Sequence, residues 1–517
     1  MDEDRHLADV LTARALTVAV GLLLLGPPLT VGAIGVGLAP AVAWIVPVMA
    51  AGVAVLSGRV PRLPLHLARR HPAAAAIWVA SLAVAVTFSV RTSLFAHYPD
   101  APRFSVAAGD RFREEHLCMT AYAEAARLLG VAGVNVYDPE LYRPGGVPRR
   151  IGRFTVDYYH YPPPFLLLPA ALRGLVPDFF DFRRVWFAAQ TTAVVGLWLG
   201  IAWWVGGATG PRFALAGVVP MALPVTWAAI QVGNVQTTVI AVALAGAMAV
   251  ASGRSATGAT LLTAAALGKI FPGVLLAHVL AWHRRRVAAW VIASGFGILG
   301  LTAALFGIDI FRAFLFGELP RMLSGDAFSQ TELPWTAAVN QSIYGVTVKL
   351  RQLGVDALDR ETGKMVTRGL VGLLGLAVVA VGWQVVRTAS LDGDEARLAT
   401  LAIAFGFLNL ASFISPFVGG AYGAVYTIWL AALVAVSTFP GTIRVGFAVA
   451  GALLFVANAL ASSPRPGVVP SAATLVLSTA GSALLLGINI AAVWIGGAAL
   501  VRSRRVTASE SAAAALS

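Results

Sequence analysis

Residues 287–307, VAAWVIASGFGILGLTAALFG, run for 21 positions without a charged side chain. At about 1.5 Å of rise per residue, a helix of that length crosses the roughly 30 Å hydrocarbon layer of a bilayer. The run follows the basic cluster His283-Arg284-Arg285-Arg286, the kind of flank that stays on the cytoplasmic side. Comparable apolar segments lie on both sides of it, at 15–37, 41–58, 75–95, 163–177, 185–206, 213–231, 235–252, 257–282, 368–386, 398–415, 421–439, 445–463 and 471–500. None shows the strict alternation over about ten residues that a barrel strand needs. The pattern predicts an all-α polytopic membrane protein with about 12–14 transmembrane helices.

The composition agrees. Of 517 residues, 58% are hydrophobic and 12% charged, and the mean hydropathy is +0.77; so apolar a chain needs lipid as the solvent for most of its surface. The formal charge of +13 does not point to nucleic acid, because many of the basic residues sit in short loops between apolar runs. Cys118 is the single cysteine, which excludes an intramolecular disulfide and any multi-cysteine metal site. The start, Met1–His6, is acidic and lacks the basic region of a signal peptide, so it is expected to be retained.

Arg59, Arg62, Arg69 and Arg70, then His283–Arg286, then Arg502, Arg504 and Arg505 fall on one side if both termini are cytoplasmic. Residues 1–74 then hold two extra N-terminal helices, 75–307 a core with an outer loop at 96–162, 308–367 a second outer loop, and 368–505 the C-terminal helices. The small polar tail 506–517 reads as disordered. In the first loop Cys118, Ala121, Tyr122, Ala125, Leu128 and Leu129 repeat at helical spacing, which predicts a helix lying on the membrane surface. The second contains two amphipathic stretches, Phe311–Leu319 and Ile343–Leu353. Segment 257–282 is interrupted at Gly268-Lys269-Ile270-Phe271-Pro272, as a kinked span or two half-helices lining a cavity.

Several fragments occur in order along the chain: Ala121-Tyr122-Ala123-Glu124-Ala125-Ala126, Val136-Tyr137-Asp138-Pro139, Tyr159-His160-Tyr161-Pro162-Pro163-Pro164-Phe165, Gly233-Asn234-Val235-Gln236, Leu267-Gly268-Lys269-Ile270-Phe271-Pro272, Asn340-Gln341-Ser342-Ile343 and Ser415-Pro416. With this layout of spans and loops, the chain resembles glycosyltransferase family 87 of the GT-C superfamily. The resemblance implies an extracytoplasmic transfer of a sugar, mannose or arabinofuranose, from a polyprenyl-phosphate donor to a lipid or glycan acceptor, with inversion. It implies a location in the bacterial cytoplasmic membrane. Glu114-Glu115-His116 could bind a metal, but one short cluster is a weak signal, and no cofactor or metal is expected.

Inverting transfer needs a base for the acceptor hydroxyl. The family places an aspartate shortly before the aromatic that opens the loop helix; here the positions around Cys118 are not acidic. Asp110 and Glu115 are the nearest candidates, Glu114 a third, and Asp157 a spare carboxylate. A lysine within an apolar segment costs several kcal/mol unless paired or hydrated, roughly 3 on insertion scales, so Lys269 either holds the donor phosphate or snorkels from a helix end. His160 and Tyr161 contact sugar or phosphate, or merely open a proline-started helix. Asn234 and Gln236 bind sugar hydroxyls or bridge helices. Asn340 and Gln341 belong to the donor site, or Asn340 caps the helix that follows. Arg149, Arg150 and Arg153 meet lipid phosphates or water. The rival readings are a transporter or lipid flippase, a polysaccharide polymerase or ligase, and a non-catalytic scaffold. No Walker loop or dinucleotide fingerprint supports a soluble nucleotide-sugar enzyme.

Overall fold

A computed structural model describes residues 2–43, 45, 47–49, 71–131, 133–282, 285–388, 394–459 and 467–516. Most of the expected span 41–58 and the basic loop Arg59–Arg70 lie outside these residues. The chain is all-α and polytopic, with one two-stranded hairpin among the described residues. Seven described helices are long and apolar enough to cross a membrane: Leu16–Gly35, Pro72–His97, Phe179–Val205, Arg286–Phe306, Arg360–Gly382, Gly441–Ala459 and Ala472–Val501. The pair Thr209–Met221 and Pro224–Gln231 makes an eighth if its 75° bend is counted as one span. The apolar runs at 163–177, 235–252 and 421–439 form shorter helices, which separates the described spans from the larger number of apolar segments. In Arg286–Phe306 only 6% of the apolar window is buried in protein; lipid is what covers residues such as Phe296 and Leu305.

The chain divides into two compact units, 1–238 with 302–320, and 239–301 with 321–517. In the first, the helices Asp2–Gly35, Pro72–His97 and Phe179–Val205 pack together. Gly32 and Gly35 permit this approach, since a Cβ there would meet Ala188 at 2.5 Å and Arg184 at 2.9 Å. Ser89 donates across the pair to the Leu24 carbonyl at 2.7 Å. Between the second and third of these helices, the loop folds around buried aromatics, including Tyr122, Tyr142, Phe154 and Tyr159. Its hairpin pairs Arg150–Ile151 with Phe154–Thr155, turning at Gly152 with φ +57°.

The expected helix at 118–129 forms as Met119–Leu128, yet nine of its ten residues are buried. It is therefore a core element of the loop, not a helix lying on the membrane. Its surroundings supply the reason: Met119 N–H donates to the Val232 carbonyl at 3.3 Å, and Thr120 Oγ1 donates to the Thr155 carbonyl at 3.2 Å.

The second unit is a helical bundle with a polar lock. Asn409 Nδ2 donates to Asn489 Oδ1 at 2.9 Å, and Asn489 Nδ2 donates to Thr427 Oγ1 at 2.9 Å. All three residues are buried. Its 257–282 segment is broken as expected, into helices Ser255–Gly268 and Gly273–Trp282. The last helix runs Ala472–Leu516, so a disordered tail from 506 is not what the described residues adopt. Residues 311–319 also fold as helix, with a π-helical turn at Ala313–Glu318 between two α-helical pieces.

Candidate active site

In the first unit the loop's acids and arginines pair off. Arg149 Nη1 reaches buried Glu124 at 2.9 Å, Arg150 Nη2 reaches Glu115 at 2.7 Å, and Arg153 Nη2 reaches Glu114 at 3.4 Å. Each of these arginines folds back onto an acid of the segment 114–124, while Arg149 and Arg150 stay 42% and 47% exposed, as solvated side chains are.

Those pairings decide what the two expected bases can do. Asp110 accepts the N–H groups of Phe112 and Arg113 as the N-cap of a short helix, and its other oxygen pairs with Arg113 at 3.2 Å. Glu115 is held by Arg111 at 2.9 Å and by Arg150. Burial pushes its carboxyl up, but the hydrogen bonds from Arg150 and Arg111 together outweigh it and keep it below the usual range.

A third carboxylate, missed in the sequence, meets a motif residue. The π-helical turn brings Glu318, 1% exposed, to His160 Nδ1 at 2.5 Å. The two are 158 positions apart, and no local pattern links them. Beside this pair, Tyr122 donates to Tyr161 at 2.9 Å, Tyr137 donates to the Tyr161 carbonyl at 2.9 Å, and Phe165 packs 4.9 Å from the Tyr161 ring. Burial is the first cause that holds the Tyr122 and Tyr161 hydroxyls well above their ordinary range, so they act as neutral hydrogen-bond partners.

Asn234 and Gln236 lie on the other side of Tyr122. Gly233 turns with φ +71°, and a Cβ there would meet Met119 at 2.3 Å; only glycine allows the motif this close to the loop helix. Val235 N–H then donates to the Tyr122 hydroxyl at 3.2 Å. Asn234 Oδ1 accepts the Gln236 N–H at 2.9 Å, while its Nδ2 donates to Cys118 Sγ at 3.4 Å. Both side chains are buried.

Next to them, His116 Nδ1 lies 3.2 Å from Asp157 and its Nε2 lies 3.7 Å from Cys118 Sγ. Burial lowers the imidazole's proton affinity, but the Asp157 charge and hydrogen bond outweigh it and hold the ring well above its ordinary value.

Lys269, Asn340 and Gln341 belong to the second unit. Lys269 ends the Ser255–Gly268 helix, where the backbone leaves helical geometry and its side chain is half-buried. A cation is favourable at a helix C-terminus. Asn340 does not cap the following helix; Ser342 does, accepting the Gly345 N–H at 2.8 Å. Asn340 instead donates to the Pro416 carbonyl at 3.0 Å and accepts the Val418 N–H at 3.0 Å. Gln341 N–H donates to the Val418 carbonyl at 2.7 Å, and its side chain accepts from Ser482. The Asn340-Gln341 and Ser415-Pro416 fragments, distant in sequence, thus form one clamp.

The sequence model of glycosyltransferase family 87 matches residues 159–416. No curated protein and no solved structure matches the chain.

Proposed function

Because the chain belongs, through residues 159–416, to glycosyltransferase family 87, we propose that this membrane glycosyltransferase moves one sugar from a polyprenyl-phosphate carrier to a lipid or glycan acceptor at the outer face of the membrane. Mannose is the first sugar to test and arabinofuranose the second. The family match carries the reading. The spans support a lipid-borne donor, because a polyprenyl tail stays in hydrocarbon while its phosphate stays at the interface, and the enzyme must meet it there.

In this reading the proton acceptor is His160. Its Nδ1 faces the buried Glu318 carboxylate, which orients the ring and stabilises the imidazolium that forms; Nε2 is then the basic nitrogen. The acceptor oxygen forms its bond to the anomeric carbon as its proton passes to Nε2. The bond to the carrier phosphate breaks, and the polyprenyl phosphate leaves with the electron pair. Tyr161, Asn234 and Gln236 frame the loop around this point. Taken by itself in the second unit, Lys269 is proposed as a phosphate-binding cation at its helix break. Asp110 and Glu115 are proposed to shape the loop, Asp110 by capping a helix through Oδ1 and Glu115 by its ion pairs with Arg111 and Arg150.

The test is transfer of radiolabelled sugar from polyprenyl-phosphate mannose, and in parallel from the arabinofuranose donor, in membranes carrying the chain. Label should appear in a lipid or glycan product with wild type and be lost in His160→Ala. Absence of transfer from both donors in wild-type membranes overturns the proposed donor class.

A further inference from the structure

We propose that His116, Cys118 and Asp157 form a binding site for a divalent transition-metal ion of the zinc class, with one coordination position open to an oxygen ligand. The three donors come from three local structures. His116 closes the helix Arg111–Glu115 and bridges to Thr155. Cys118 stands just before the buried helix Met119–Leu128, and Asp157 follows the second hairpin strand, Phe154–Thr155. Their nitrogen, sulfur and oxygen donor atoms all lie within 4.8 Å of one another. Bonds of roughly 2.0 Å to nitrogen and oxygen and 2.3 Å to sulfur put tetrahedral ligands about 3.3–3.6 Å apart. The imidazole meets its neighbours through different nitrogens, Nδ1 with Asp157 at 3.2 Å and Nε2 with Cys118 at 3.7 Å, so the nitrogen that ligates is at that spacing from one of the two and within 4.8 Å of the other.

The chemistry of the set narrows the ion. A thiolate with an imidazole selects a borderline ion such as Zn²⁺, Co²⁺ or Fe²⁺ over Mg²⁺ or Ca²⁺, which take all-oxygen sites. The surroundings fit as well. The Asn234 amide donates to the sulfur at 3.4 Å, as an outer partner of a ligating thiolate does. The Phe112 ring stacks on the imidazole at 4.6 Å and fixes its plane. Thr120 Oγ1 accepts the Asp157 N–H at 3.1 Å and fixes that backbone. The side chains of His116 and Asp157 are 25% and 26% exposed, which gives the ion a path in and leaves room for a hydroxyl or phosphate oxygen. On binding, the Cys118 thiol and the His116 imidazolium each give a proton to solvent as their bonds to the metal form, and the ring ligates through the nitrogen so freed. Metal binding does not depend on the identity of the sugar donor.

The full-length protein, purified in detergent and stripped with a chelator, is titrated with Co²⁺. The expected result is a sulfur-to-cobalt charge-transfer band in the near ultraviolet that saturates at one equivalent and is displaced by Zn²⁺. Cys118→Ser should abolish the band, and Asp157→Asn should weaken binding by about 10- to 100-fold. Iodoacetamide labelling gives a second readout on wild type alone, because Cys118 is the single cysteine: Zn²⁺ should protect it and chelation should restore labelling. No band in wild type at excess Co²⁺, with labelling indifferent to Zn²⁺, overturns the site and leaves the three residues as a hydrogen-bonded relay.

Discussion

The Tyr122 hydroxyl hydrogen-bonds the Tyr161 hydroxyl at 2.9 Å, tying the loop helix to the Tyr-His-Tyr-Pro motif 39 residues later. The Tyr122 oxygen also accepts the Val235 N–H at 3.2 Å, so one buried phenol joins three of the sequence fragments. Tyr122→Phe leaves the Tyr161 hydroxyl and a buried backbone N–H without this partner, at about 1–3 kcal/mol each. Thermal unfolding should show a marked loss for Tyr122→Phe, a smaller one for Tyr161→Phe, and less than the sum for the double variant. Strict additivity would mean the two hydroxyls are uncoupled.

The carboxylates of the first unit should separate in activity assays. Glu318→Gln keeps the shape but removes the charge facing His160, and transfer should fall by about 100-fold or more. Glu115→Gln loses ion pairs with Arg111 and Arg150 and should change transfer by less than about threefold, since partly exposed pairs contribute about 0–1 kcal/mol. The reverse ranking would return the proton to the 110–115 segment.

Lys349 gives a pH dependence in the second unit. It sits on the helix Ile343–Gln352 with 0% exposure, donating to Ser482 at 2.8 Å, and burial lowers its ammonium from 10.5 to about 7. The folded state therefore binds fewer protons than the unfolded state between pH 7 and 10.5. The cost, about 5 kcal/mol, is present in full below pH 7 and disappears as pH rises towards 10.5. Unfolding temperatures of wild type and Lys349→Met should converge, or cross in favour of wild type, from pH 6 to pH 10. Parallel curves would show the lysine to be hydrated.

Asn340→Ala should open the clamp on residues 416–418. It removes an acceptor from the N–H groups of Ser342 and Val418 and a donor from the Pro416 carbonyl. Limited proteolysis should then cut near Ser415–Val418 at a rate at least tenfold above wild type, an effect of about 1.4 kcal/mol or more on local opening. Unchanged protection there would mean that Gln341 and Ser342, whose hydroxyl donates to the Pro416 carbonyl at 2.9 Å, hold the segment without it.

Apolar runs of spanning length and the break at Lys269 were legible because both are local. The helix at 119–128 was legible too, but its setting was not: its partners at Val232, Val235 and Thr155 come from distant stretches that no helical period reveals. The same distance hid Glu318, whose partner is His160. Lys349 lies in the stretch Ile343–Leu353 that reads as amphipathic, and only the packing of Ser482 beside it shows that the lysine is covered. Asn340 reads as the cap of the helix that follows; the clamp to residues 416–418 takes the asparagine instead, and Ser342, which the sequence reading did not single out, caps the helix.

The lock of Asn409, Thr427 and Asn489 also bears on how the chain is made. An amide in hydrocarbon without a partner costs several kcal/mol, roughly 4–8 on transfer to an alkane. Asn489 emerges 62 residues after Thr427 and 80 after Asn409. The helices bearing the earlier two therefore reach the insertion machinery before their last partner exists. They are best released into lipid together with the final helix, so truncation before residue 489 should leave a chain that membrane quality control removes.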